Sequence, residues 1–224
     1  MSQLICFDFD GTVMNTWPSF EQVAIRYTRD NNLPDLCLDS LRIGYGYPDD
    51  HEFWAGMSKH DQHRHLHNMY RLADDPYHPM MEGIIPDPFD GVAGTLERLK
   101  GAGYTLAIVT AKPRQPLDAL LTHHKIDHYF CGFRTCDDIA IRGEKCKPYP
   151  DQLLSIIREL DYTPDRAVMV GDTCMDIKMA RAANVRSIGV TWGNHPKDRL
   201  RDAGADHVLS CRFESVVDIV TGWS

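Results

Sequence analysis

Two acids two residues apart, Asp8 and Asp10, close the apolar run Leu4-Ile5-Cys6-Phe7 and are followed at once by Gly11 and Thr12. In an extended chain residues two apart point to the same side, so both carboxylates leave the backbone together, and Gly11 permits the sharp turn that follows. Like charges at that separation are unfavourable unless a cation sits between them or one carboxyl keeps its proton. Either arrangement suits catalysis. A hard divalent cation such as Mg²⁺ takes oxygen ligands, and a carboxylate can act as nucleophile or as acid and base. The plain alternative is an acidic turn after a buried strand, since Asp and Gly are ordinary turn formers. Further along the chain, oxygen-bearing groups recur at the ends of apolar runs: Thr110 after 104–109, and Asp172 with Thr173 after 167–171. Between them stands Lys147, a cation fixed just ahead of Pro148. Asp176 follows Asp172 by four residues, one helical turn.

Each of these groups needs a rigid element to aim it. The run ending at Asp8 has the unbroken apolar character of a strand buried on both faces. After residue 90 the rhythm alternates. A helix over 92–100 stops at Gly101 and Gly103, and strands at 104–110, 131–135, 167–173, 186–191 and 207–209 are separated by helices at 116–124, 150–160, 175–183 and 197–203. A last helix covers 214–221. Alternation of this kind predicts an α/β fold with a doubly wound parallel sheet, and in such sheets ligands bind beyond the carboxyl ends of the strands near the point where strand order reverses. From 15 to 88 the pattern is helical instead. Pro18 suits a first turn, Phe20, Val23, Ala24 and Tyr27 share one face, a short helix covers 36–43, and a third lies within 50–73. Pro76, Pro79, Pro86 and Pro88 mark 76–90 as a linker. The expected organisation is a core of 1–14 and 89–224 interrupted by a helical domain, 15–88.

The chain of 224 residues is 43 % apolar and 25 % charged, the balance of an ordinary globular protein able to bury a proper core. No apolar run has the length of a membrane span, and Met-Ser-Gln ahead of the first strand lacks a basic leader, so a cytoplasmic location without membrane association is expected. A net charge of −8 argues against a nucleic-acid surface and requires that any anion site be made locally positive. The seven cysteines include no pair with the spacing of a zinc knuckle or redox motif, so reduced, mostly packed thiols are expected, with Cys131, Cys136 and Cys146 as metal ligands the weaker alternative. His60, His63 and His67 recur at helical spacing without a cysteine or paired acid, which predicts a solvated face rather than a metal site.

Taken together, these features resemble the haloacid dehalogenase superfamily, in its phosphatase branch with a helical cap inserted after the first motif. Asp8-Phe9-Asp10-Gly11-Thr12 resembles the first motif, Thr110 the second, Lys147-Pro148 the third, and Gly171-Asp172-Thr173 with Asp176 the fourth. Bacterial phosphoglycolate phosphatases are similar through Val109-Thr110-Ala111-Lys112-Pro113-Arg114, Lys147-Pro148-Tyr149-Pro150-Asp151, Val190-Thr191-Trp192-Gly193 and Ala203-Gly204-Ala205-Asp206-His207-Val208. Two positions depart from them: Ala111 replaces Asn, and Asn184 replaces a Gly after a helix, a change tolerable at a left-handed cap.

The resemblance implies an Mg²⁺-dependent phosphatase that hydrolyses a small phosphate monoester through an aspartyl-phosphate intermediate, with 2-phosphoglycolate the leading substrate, in a monomer or homodimer. Asp8 would be the nucleophile and Asp10 the acid and base. Asp8, the Asp10 carbonyl and Asp172 would hold the metal. Lys147 and Thr110, with the N–H groups of Gly11 and Ala111, would bind the phosphoryl oxygens, Thr12 would line the substrate site, and Asp176 and Thr173 would support from behind. Arg42, in the segment Leu41-Arg42-Ile43-Gly44-Tyr45-Gly46, resembles a cap-loop contact to a second anionic group. A phosphomutase, a phosphonate hydrolase with Lys59 as Schiff base, a nucleotide or pyrophosphate hydrolase and a non-catalytic binding protein remain as alternatives. A dehalogenase is disfavoured by Asp10 with Asp172.

Overall fold

The computed structural model describes residues 3–44, 52–75, 81 and 83–223. Strand β1 (Leu4–Phe7) is buried along its whole length, as its unbroken apolar sequence requires. The remaining strands are β2 (Thr105–Val109), β3 (Gly132–Arg134), β4 (Ala167–Gly171), β5 (Arg186–Val190) and β6 (His207–Leu209). All pair in parallel, in the order β3-β2-β1-β4-β5-β6. The chain therefore runs outward from β1 to β3 and restarts on the other side of β1 at β4, which puts the reversal of strand order beside β1.

Alternation along β1 divides the core. Ile5 and Phe7 join a cluster with Leu96 and Leu99 of α4 (Val92–Gly101), Leu117 and Leu121 of α5 (Arg114–His123) and Val216 and Val220 of α10 (Ser215–Gly222). Leu4 and Cys6 point to the opposite face, among Leu153, Ile156 and Ile157 of α7 (Asp151–Glu159) and Met179 and Ala180 of α8 (Cys174–Ala182). Helix α9 (Lys197–Asp202) adds Leu200, which meets Ile177 of α8. The doubly wound parallel α/β sheet expected from the alternation is the fold observed.

The chain folds as two compact units, Met1–Asn15 with Asp87–Ser224, and Thr16–Pro86. The second contains α1 (Trp17–Asp30), α2 (Leu38–Ile43) and α3 (Lys59–Ala73), and has its own core of Phe20, Ala24, Tyr27, Leu41, Phe53, Trp54, Leu66 and Met69. His60, His63 and His67 are exposed, while His65 turns inward and its Nδ1 shares a 2.9 Å hydrogen bond with the Tyr27 hydroxyl. Tyr45, Gly46, Pro76 and Pro79 lie outside the described residues.

Two expectations are corrected. None of the seven cysteines is in a disulfide, but only Cys6 is fully buried; Cys37, Cys131, Cys146 and Cys211 are exposed because they fall in turns at the ends of elements rather than within them. A short helix, α6 (Asp137–Arg142), occupies a stretch for which the sequence pattern predicted no element. Its residues share no buried face, so it has no apolar period to detect. Asn184 does adopt the left-handed conformation after α8, at φ 54°. Among the described residues no helix is long and apolar enough to cross a membrane.

Candidate active site

Parallel register delivers the chemistry to one rim. Phe7 pairs with Ile108 and with Val170, so the residues that continue these strands, Asp8, Thr110 and Asp172, emerge at the same carboxyl edge. Asp8 keeps the sheet's hydrogen bonding one residue further, its N–H reaching the Val170 carbonyl at 2.8 Å. Asp8 is 7 % exposed, and Asp172 and Asp176 are fully buried. Each of the three offers a carboxylate oxygen within 4.8 Å of the others. Lys147 arrives from the loop before α7 and binds two of them, with Nζ 2.8 Å from Asp8 Oδ1 and 2.6 Å from Asp176 Oδ1.

The acids are held from behind. Thr173 and Asp176 form a capping box at the start of α8, with the Thr173 N–H and hydroxyl donating to Asp176 Oδ2 at 3.0 and 2.6 Å. Asp172 accepts the Thr12 hydroxyl on Oδ1 at 2.9 Å, and the Asn194 backbone N–H and side-chain amide on Oδ2 at 2.8 and 2.9 Å. Glycine is required around it. A Cβ on Gly11, itself at φ +78°, or on Gly193 would overlap the Asp172 carboxylate, and one on Gly171 would overlap Asp176.

Burial raises the Asp8 pKa well above the ordinary carboxylate value, against the pull of Lys147 and with the help of Asp176 and Asp172. Asp172 is pushed up to about 7, first by burial and then by Asp176, against its hydrogen bonds from Asn194 and Thr12. Burial opposes the charge of Lys147, but Asp176 and Asp8 outweigh it and hold its pKa above the usual lysine value. Three buried carboxylates thus face one ammonium. The excess negative charge, in an all-oxygen donor set, fits a hard divalent cation such as Mg²⁺.

Other expected site residues fall as follows. Thr110 is buried, and its hydroxyl oxygen accepts the Lys112 N–H at 3.1 Å, which leaves the hydroxyl proton to donate. Asp10 Oδ1 has no hydrogen bond and lies 3.4 Å from Lys112 Nζ. Ala111 follows Thr110 at the same edge. The Gly11 N–H donates to the Met14 carbonyl at 2.8 Å, and the Thr12 hydroxyl donates to Asp172 Oδ1. Arg42 belongs to the helical unit, exposed in the last turn of α2, its guanidinium 5.6 Å from the centre of the Trp17 ring.

Sequence reasoning missed Asn194, which clamps Asp172, and Lys112, which faces Asp10. It also missed His195, whose buried Nδ1 accepts the Cys174 N–H at the head of α8 at 3.0 Å. Asn194 lies in a Gly-Asn-His-Pro turn, where Asn is common for conformational reasons alone, so nothing local marks it.

A family model described as haloacid dehalogenase-like hydrolase matches residues 5–190. The chain is 31% identical to the phosphoglycolate phosphatase of Aliivibrio fischeri, over 98% of this chain and 96% of that protein. It is 30% identical to the pyrophosphatase PpaX of Bacillus cereus, over 84% and 82%. A haloacid dehalogenase-like protein of unknown function from Agrobacterium tumefaciens superposes with a TM-score of 0.72 at 26% identity, over 99% of both chains.

Proposed function

This chain belongs to the haloacid dehalogenase-like hydrolases, and from that premise we propose that it is an Mg²⁺-dependent phosphatase acting on a small phosphate monoester, 2-phosphoglycolate foremost. The observation that carries the proposal is the buried meeting of Asp8, Asp172 and Asp176 around Lys147 at the carboxyl ends of β1 and β4.

Phosphoryl transfer needs an in-line nucleophile, neutralised equatorial oxygens and a proton for the leaving oxygen. Asp8 attacks phosphorus and becomes an aspartyl phosphate while the substrate P–O bond breaks. Asp10 protonates the departing oxygen, then takes a proton from the water that opens the acyl phosphate and regenerates Asp8. Lys147, fixed by Asp176, offsets charge on Asp8 and on the transferring group, and the Thr110 hydroxyl and Ala111 N–H bind phosphoryl oxygens. Mg²⁺, held by Asp8, Asp172 and the Asp10 carbonyl, would supply the remaining positive charge a phosphate requires there.

The helical domain, 15–88, is assigned the role of a cap that selects the substrate, with Arg42 its candidate contact to a second anionic group. Pyrophosphate is a second reading, favoured by the likeness to PpaX. Steady-state rates with Mg²⁺ on a panel holding 2-phosphoglycolate, pyrophosphate, sugar phosphates and a phosphonoaldehyde test both. We expect the highest kcat/KM on 2-phosphoglycolate. A higher value on pyrophosphate moves the assignment there, and inactivity on every phosphate compound overturns it.

A further inference from the structure

Arg134 ends β3 as a long cation that is nonetheless only 2 % exposed. Its Nη1 donates to the Phe133 carbonyl at 2.8 Å, its Nη2 to Glu159 Oε2 on α7 at 2.6 Å, and its Nε to the Ser155 hydroxyl at 2.6 Å. A second carboxylate approaches the same guanidinium: Glu144 Oε2 lies 3.7 Å from Nε, buried and without a hydrogen bond. Glu144 stands three residues before Lys147. Arg134 also supports the second motif, since its carbonyl accepts the Thr110 N–H at 2.9 Å.

We propose that Glu144, faced by the Arg134 guanidinium, is a positioning residue for the active site, fixing the segment that delivers Lys147 to Asp8 and Asp176. The inference rests on the assignment of Lys147 as the phosphate-site cation. A carboxylate oxygen this buried is tolerated because a cation faces it. Without that cation the Glu144 side chain turns out to water and takes its backbone with it. Three residues span about 10 Å at full extension, too short a tether to absorb such a move while Lys147 Nζ stays within 3 Å of two carboxylates. Misplacement by about 1 Å costs up to a hundredfold in rate. Glu159 shares the guanidinium but is half exposed and lies on α7, so it anchors the helix without steering Lys147.

The experiment compares Glu144→Ala, Glu144→Gln and Glu159→Ala, alone and combined with Lys147→Met. Readouts are kcat/KM for p-nitrophenyl phosphate, orthovanadate binding by calorimetry in the presence of Mg²⁺, and thermal melts. We expect both Glu144 variants to lower kcat/KM and weaken vanadate binding by about tenfold, a coupling of ordinary size for contacting groups. Neither should weaken vanadate binding further once Lys147 is Met. Glu159→Ala should keep both within about twofold even where it lowers the melting temperature. Equal losses for Glu144→Ala and Glu159→Ala, or a Glu144 effect that persists undiminished in the Lys147→Met background, overturn the positioning role. Lys147→Met with undiminished activity overturns the assignment of Lys147 and this inference with it, which distinguishes the two failures.

Discussion

Asp172 is fully buried, accepts hydrogen bonds from Thr12 and Asn194, and has a pKa raised to about 7 with two other acids close by. In the metal-free protein its charge works against folding, because Lys147 alone cannot balance three carboxylates. Asp172→Asn should therefore raise the metal-free melting temperature, by the equivalent of about 1–2 kcal/mol. The new amide can face Thr12, whose hydroxyl is able to accept, while the amide oxygen keeps the Asn194 bonds. Saturating Mg²⁺ should stabilise the wild type by about 3 kcal/mol at a hundredfold excess over Kd, and the variant hardly at all. Equal metal shifts in both would remove Asp172 from the metal set. Asp8→Asn should lose at least about a thousandfold in turnover of p-nitrophenyl phosphate while its circular dichroism stays native; wild-type turnover would exclude Asp8 as nucleophile. At this scale the sequence showed Asp8, Thr110, Lys147 and Asp172, because each ends an apolar run or precedes a proline. It hid Asn194, 22 residues from the carboxylate it clamps, since only the closed sheet brings them together.

Elements were readable wherever a buried face imposed a period. The strands of the core announce themselves as apolar runs, and α7 buries Leu153, Ile156 and Ile157 along one stripe. The α6 helix does not, and its Ile141 is 77 % exposed. Helix ends carry a usable weakness. Asp161 follows α7 at φ 61° and Lys125 follows α5 at φ 56°, both exposed and both left-handed, where an L side chain costs about 1–2 kcal/mol. Asp161→Gly should recover the part of that cost that glycine's own flexibility, about 0.5–1 kcal/mol, does not cancel, and raise the melting temperature by about 1–3 °C. Asp161→Ala should lower it, and a gain from alanine would show that the φ of 61° is not what costs stability. In the helical unit, α3 holds His65 against Tyr27, and burial, with Arg64 beside it, lowers the His65 pKa below 6.5. A folded-state pKa below the unfolded one favours the neutral ring. Its stability contribution is thus full above about pH 6.5 and is lost as pH falls towards the folded pKa. His65→Gln should flatten the acid-side fall in melting temperature between pH 7 and 5; an unchanged slope would clear His65 of that role.

At the level of the molecule, two hydrophobic cores follow two sequence rhythms, and the boundary between them is a place where the chain leaves and returns side by side. The Asn15 N–H donates to the Asp87 carbonyl at 2.8 Å, the Phe89 N–H donates to the Val13 carbonyl at 3.1 Å, and Met14 bridges antiparallel to Pro88. That is the last rung of a hairpin whose loop is an entire helical unit. Both faces of the sheet are filled by residues of the first unit, Ile5 and Phe7 on one side, Leu4 and Cys6 on the other. Residues 16–86 should therefore be replaceable by Asn-Gly, whose backbone preference closes a two-residue hairpin. We expect the shortened protein to melt cooperatively and to bind Mg²⁺ within about threefold of the full chain by calorimetry, since Asp8, Asp172, Asp176 and Lys147 all remain. If the helical unit is the selector, kcat/KM across the phosphate panel should flatten to within about tenfold. A shortened protein that folds and binds metal yet still prefers one ester as strongly as the full chain would place the selectivity in the sheet's own loops, beside Lys112 and Asn194. Failure to fold would show that the sheet core depends on the helical unit.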